Sequence, residues 1–173
     1  MRKKAFFGLA LLLTLILVIP PGCKKDPTTA ELPAQPEAIS ITINPNSAGA
    51  DTVVTISIII QGTTKQIRVF GLDAAFDAKM FDFQGVAKGA ITESWADVDG
   101  NEISPGELKI GGYVGGGTPV PANGQGKLAE FKLKVTGQNY ANGQQSQIII
   151  RQYTDDLNGF KPEPASVSFT LKK

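Results

Sequence analysis

Few side chains in this 173-residue chain could do chemistry, and one whole class is missing. There is no histidine, which excludes Ser-His-Asp and Cys-His catalysis and the commonest zinc ligand set. The most calcium-like segment is Asp97-Val98-Asp99-Gly100-Asn101-Glu102. As an EF-hand loop it fails, because its sixth position would be Glu102 instead of glycine and its twelfth Leu108 instead of glutamate. A hairpin turn on Asp99-Gly100 is the better reading. Asp155 and Asp156 are adjacent, so on an extended chain they point opposite ways and suit paired acid-base work badly; they read as a solvated loop. Gly115-Gly116-Gly117 lacks the following Gly-Lys-Ser/Thr of a phosphate loop and opens no helix. Trp95 and Tyr113 are planar aromatics that could stack on sugar rings, against the plainer alternative of core packing. No nucleophile, base and orienting group can be assembled, so an enzyme is the least expected class.

Cys23 is the single cysteine, so no disulfide can form within the chain. It follows Met1-Arg2-Lys3-Lys4, an apolar run from Ala5 to Ile19, and Pro20-Pro21-Gly22. A basic start, a short apolar core and a small residue before a processing point make a secretory signal. The run is short of the roughly 20 residues that span a bilayer as a helix. Cys23 in this place resembles the lipobox cysteine of bacterial lipoproteins, although Pro20 stands where leucine is usual. The expectation is residues 1–22 as signal peptide and Cys23 as lipid anchor. An ordinary cleaved signal and an uncleaved tilted anchor remain the alternatives. Each puts the rest of the chain outside the cytoplasm, at a periplasmic face or the cell surface.

Residues 23–37 hold the cysteine and a linker, KKDPTTAELPAQPE, with three prolines and almost no large apolar side chain. Extended at about 3.1 Å per residue it would reach roughly 40 Å. Arg2, Lys3 and Lys4 belong to the signal, and without them the 17 basic residues fall below the 16 acidic ones. The exported part is slightly acidic, which argues against nucleic acid and anionic membrane surfaces as partners.

Residues 38–173 must supply the scaffold, and they are long enough for one domain with a real core. From Ala38 onward apolar residues recur every second position between turn residues. The expected strands are 39–43, 52–61, 66–77, 80–86, 91–96, 108–114, 128–135, 147–153 and 167–171. On the second, Val54, Ile56, Ile58 and Ile60 share a face; on the seventh, Ala129, Phe131, Leu133 and Val135 face one way and Leu128, Glu130, Lys132 and Lys134 the other. Alternation with charged outer positions means antiparallel sheets with one wet face. The fold class read from this is all-β, a nine-stranded antiparallel β-sandwich with jelly-roll topology. Each inward Ile, Phe or Leu contributes roughly 1.5 to 3 kcal/mol by burial, so charging Phe131 or Phe169 is expected to unfold the domain.

The order of segments resembles the cohesin module. Gly71-Leu72-Asp73-Ala74-Ala75-Phe76-Asp77-Ala78-Lys79-Met80-Phe81 is similar to that family's aromatic-Asp-Pro-x-x-Leu corner, with Phe76 and Asp77 matching and Ala78 and Phe81 replacing proline and leucine. Thr118-Pro119-Val120-Pro121 and the run Gly124 to Leu133 resemble the loop and strand before the family's last third. Asp155-Asp156-Leu157-Asn158-Gly159 resembles its polar excursion before the final strand. The resemblance implies a non-catalytic module, without a cofactor, that binds dockerins, small calcium-dependent modules of secreted glycoside hydrolases. It places the partner surface on the sheet of the third, fifth, sixth and eighth strands, with Asp77 at the rim and Asp73, Lys109 and Tyr113 on or near the face. One departure stands out: Leu108-Lys109-Ile110-Gly111-Gly112-Tyr113 carries two glycines where the family has a bulky apolar strand. Three functions follow as expectations. The first is capture of a dockerin-type protein outside the cell in polysaccharide degradation. The second is direct binding of cell-wall or plant polysaccharide through Trp95 and Tyr113. The third is a structural role in a cell-envelope complex.

Overall fold

The computed structural model describes residues 37–137 and 139–173. The expected signal peptide, Cys23 and residues 24–36 of the linker lie outside the described residues. No helix among the described residues is long and apolar enough to cross a membrane.

Among the described residues, ten strands form two sheets. They are β1 (Ala38–Asn44), β2 (Ser47–Ala48), β3 (Val53–Gln61), β4 (Val69–Ala75), β5 (Phe81–Lys88), β6 (Asp97–Ser104), β7 (Glu107–Tyr113), β8 (Gly126–Val135), β9 (Gln145–Asp155) and β10 (Ala165–Leu171). One sheet has the order β1-β3-β8-β5, the other β2-β10-β9-β4-β7-β6. The sandwich is all-β, as the alternation requires. Pairing is antiparallel except for the two-residue β2, which runs parallel to β10 and has no hydrophobic pattern long enough to read in sequence.

The core lies between the sheets. Val54, Ile56, Ile58 and Ile60 of β3 are fully buried, as are Phe131, Leu133 and Val135 of β8. Phe70, Leu72 and Ala74 of β4 and Phe169 of β10 belong to the same cluster. Phe81 sits edge-on to Phe169 at 5.1 Å between ring centroids, the offset that aromatic quadrupoles favour. Leu128 is a correction: read as outward, it is buried. Ile58 pairs with Ala129 and Ile59 with Lys127, so Leu128 is the extra residue of a bulge and escapes strict alternation.

The second correction concerns the fifth strand, expected at 91–96. Ala90–Thr92 forms a short 3₁₀ helix instead. Buried Thr92 donates its hydroxyl to the Leu128 carbonyl (2.6 Å) and accepts the Gly89 N–H (3.0 Å). A threonine satisfied by nearby backbone competes with a strand ladder. Gly89 has no room for a side chain, since a Cβ there would stand 2.0 Å from the Lys127 carbonyl oxygen.

The edge strand is β6, one segment later, so Asp99-Gly100 is mid-strand and not a turn. Gly100 is there for close approach: a Cβ would meet Val86 Cγ2 of β5 at 2.6 Å. The hairpin turn lies at Pro105-Gly106, where Gly106 has φ +80°. Proline followed by glycine at the centre of a tight turn is a type II signature, and it was present in the sequence to be read.

Candidate partner surface

The six-stranded sheet carries β9, β4, β7 and β6 side by side, and its outer face builds from cross-strand rows. Asp97 lies opposite Tyr113, and Tyr113 opposite Val69. The next row is Asp99, Gly111, Gly71 and Thr154. The third is Asn101, Lys109, Asp73 and Gln152. In the fourth, Glu107 faces Ala75. Strand alternation therefore sets these positions on the outer face, although Ala75 is itself buried.

Lys109 Nζ and Asp73 Oδ1 are 3.5 Å apart across the β4–β7 ladder, an exposed pair worth at most about 1 kcal/mol. Arg151 is the extra residue of a bulge in β9, since Asp73 pairs with Gln152 and Ala74 with Ile150. Its guanidinium spans β4 and donates to both oxygens of Glu107 at 2.8 Å. This charge-assisted contact of one nitrogen, Nη1, with both carboxylate oxygens ties β9 to β7. Tyr113 is 53 % exposed and Val69 40 %.

The expected site residues thus divide. Asp73, Lys109 and Tyr113 come together on one open face. Asp77 does not join them as a free contact. Its Oδ1 accepts the Lys79 N–H (2.9 Å) and its Oδ2 the Tyr140 hydroxyl (2.5 Å). Its carbonyl accepts the N–H groups of Met80 and Phe81. Asp77 holds the β4–β5 corner, and sharing its proton with Asp77 raises the Tyr140 phenol above its usual range. Trp95 is also a correction. It is 1 % exposed, packs 5.8 Å from Phe70 between ring centroids and donates Nε1–H to the Thr118 carbonyl (2.9 Å). A buried indole offers no face to a sugar.

Asp156, read as solvated loop, caps the start of β4: its Oδ2 accepts the N–H groups of Arg68 (2.8 Å) and Val69 (3.2 Å). Glu37, read as the last linker residue, already belongs to the domain. Its Oε1 accepts the N–H and hydroxyl of Thr64 (3.1 and 2.5 Å), and its carbonyl the N–H of Lys161 (3.0 Å).

The two glycines of β7 differ in role. Gly112 points inward, where a Cβ would stand 2.7 Å from Phe70 Cε1 and 2.9 Å from Val98 Cγ2. Gly111 points outward, and its Cβ would meet only the Phe70 carbonyl oxygen, at 3.3 Å. Only one of them bears on the surface. Sequence reasoning missed Val69, Glu107, Arg151, Asp97 and Asp99 as members of the face. The Pro105-Gly106 turn was the signal for the last two, because it sets 97–104 as a strand. The Arg151 bulge left no mark in the sequence.

The cohesin domain family matches residues 39–162. The chain belongs to the cohesin family. Cohesin domains are non-catalytic protein-binding modules, and so is this one. Among solved structures, the sixth cohesin of scaffoldin B from Acetivibrio cellulolyticus, in complex with a dockerin, is similar at 14 % identity and TM-score 0.59, covering 78 % of this chain and 98 % of that one. The cohesin module of a family 33 glycoside hydrolase from Clostridium perfringens is similar at 13 % identity and TM-score 0.61, covering 79 % and 96 %. A type I cohesin in a cohesin–dockerin complex from Clostridium thermocellum is similar at 14 % identity and TM-score 0.60, covering 78 % and 99 %. At such identities the likeness is one of fold. No curated protein sequence matches the chain.

Proposed function

We propose that this cohesin captures a dockerin-type module outside the cell and holds it near a membrane through a lipid on Cys23. The observation that carries the reading is the open face of β9, β4, β7 and β6, whose interior charges are paired and whose aromatic Tyr113 stands exposed. Paired charges give the middle of the face register and orientation. Membership of a protein-binding family supports a protein occupant. The N-terminal signal and Cys23 support export and tethering, and the dockerin-bearing partner would be an enzyme acting on polysaccharide. Direct glycan binding loses one of its two aromatics with the burial of Trp95.

The test is recovery of secreted proteins on the immobilised full chain in detergent, with and without a calcium chelator. Chelator-sensitive capture of proteins carrying paired calcium loops is the expected result. Retention of the chain on insoluble polysaccharide, with no such protein recovered, would overturn the reading.

A further inference from the structure

Two features of the open face are left over once its internal pairs are assigned. The first is apolar. Tyr113 and Val69, both exposed, are direct cross-strand partners. Beside them Gly111 leaves the backbone bare, while its neighbour Gly71 is roofed by Thr154, whose Oγ1 would stand 2.3 Å from a Cβ. Gly111 is thus a hollow in its row, between Asp99 of β6 and Gly71 of β4, where Asp155 Oδ2 also stands 3.2 Å from the Cβ position. The second feature is charge. The two cations of the face are already paired with Asp73 and Glu107. Asp97 and Asp99, alternate residues on β6, have no ion pair among the described residues, and Asp99 Oδ1 accepts only the N–H of Gly100 (2.7 Å).

We infer that this face takes a protein segment that seats a large apolar side chain over Gly111, against Tyr113 and Val69, and sets a lysine or arginine between Asp97 and Asp99. The inference deepens the reading of this face as the dockerin surface and rests on it. The hollow lacks a side chain of its own, and a partner's side chain supplies the missing area. The unpaired aspartates call for a cation, and an exposed acidic rim acts mainly on the rate of encounter.

The experiment is a displayed panel of dockerin modules selected on the full chain in detergent, followed by kinetics of the selected clones against variants. Expected are clones with Lys or Arg beside a large apolar residue. The double variant Asp97→Lys, Asp99→Lys is expected to lower their association rate about tenfold at low salt, a gap that closes near about 0.5 M salt. Gly111→Leu is expected to abolish binding with an unchanged melting temperature, and Lys132→Asp on the opposite sheet to leave binding as it was. Clones that bind wild type and both face variants alike would overturn the inference while leaving the dockerin reading in place. A panel from which no clone binds wild type would overturn that reading and the inference with it.

Discussion

Trp95 and Tyr113 have the same aromatic chemistry and opposite fates. Trp95→Ala removes a buried indole and its hydrogen bond to Thr118, and is expected to cost about 3–5 kcal/mol in chemical denaturation. Tyr113→Ala should stay within about 0.5 kcal/mol of wild type, as surface substitutions do, and weaken only partner capture. Tyr153 gives a pH signature. Burial, with the nearby Glu163 carboxylate adding to it, pushes its phenol from 10.0 up to about 12, and its hydroxyl donates to the Pro162 carbonyl (2.5 Å). A phenol that ionises later in the folded chain binds more protons there than in the unfolded one. Its contribution is therefore fully present below pH 10 and lost as pH rises from 10 toward 12. Thermal melts of wild type and Tyr153→Phe between those limits should converge as pH rises; a constant gap would contradict this.

At the scale of elements, alternation made most strands legible. Val54 to Ile60 and Phe131 to Val135 carry period-two runs long enough to declare both strand and face. The failures were local. The 91–96 segment alternates like a strand, but Thr92 turns it and Trp95 draws it into the core. Asp99-Gly100 has turn chemistry, but Gly100 serves the approach of β5 to β6. The two β7 glycines turn this into a measurement. Gly112→Ala should destabilise by about 1–3 kcal/mol through overpacking against Phe70 and Val98. Gly111→Ala, whose Cβ would meet only the Phe70 carbonyl oxygen at 3.3 Å, should cost clearly less. Equal losses in the two variants would mean that both glycines serve the core.

For the whole molecule, the reading joins a binding sandwich to a tether. Cys23→Ser is expected to move the protein from membrane to soluble fractions, and unchanged fractionation would remove lipidation from the account. What the sequence determined by itself was what depends on local pattern: the absence of histidine chemistry, the period-two strands and so the all-β class. The candidate site was legible only in part. Asp73, Lys109 and Tyr113 could be placed outward by counting along single strands. Tertiary structure alone decided the rest. Asp77 spends its carboxylate on Tyr140, Trp95 goes inside, Arg151 reaches Glu107 across β4, and Asp97 and Asp99 come beside Gly111. The physical reason is that each of these depends on register between strands distant in sequence, and a single bulge changes which side chains meet.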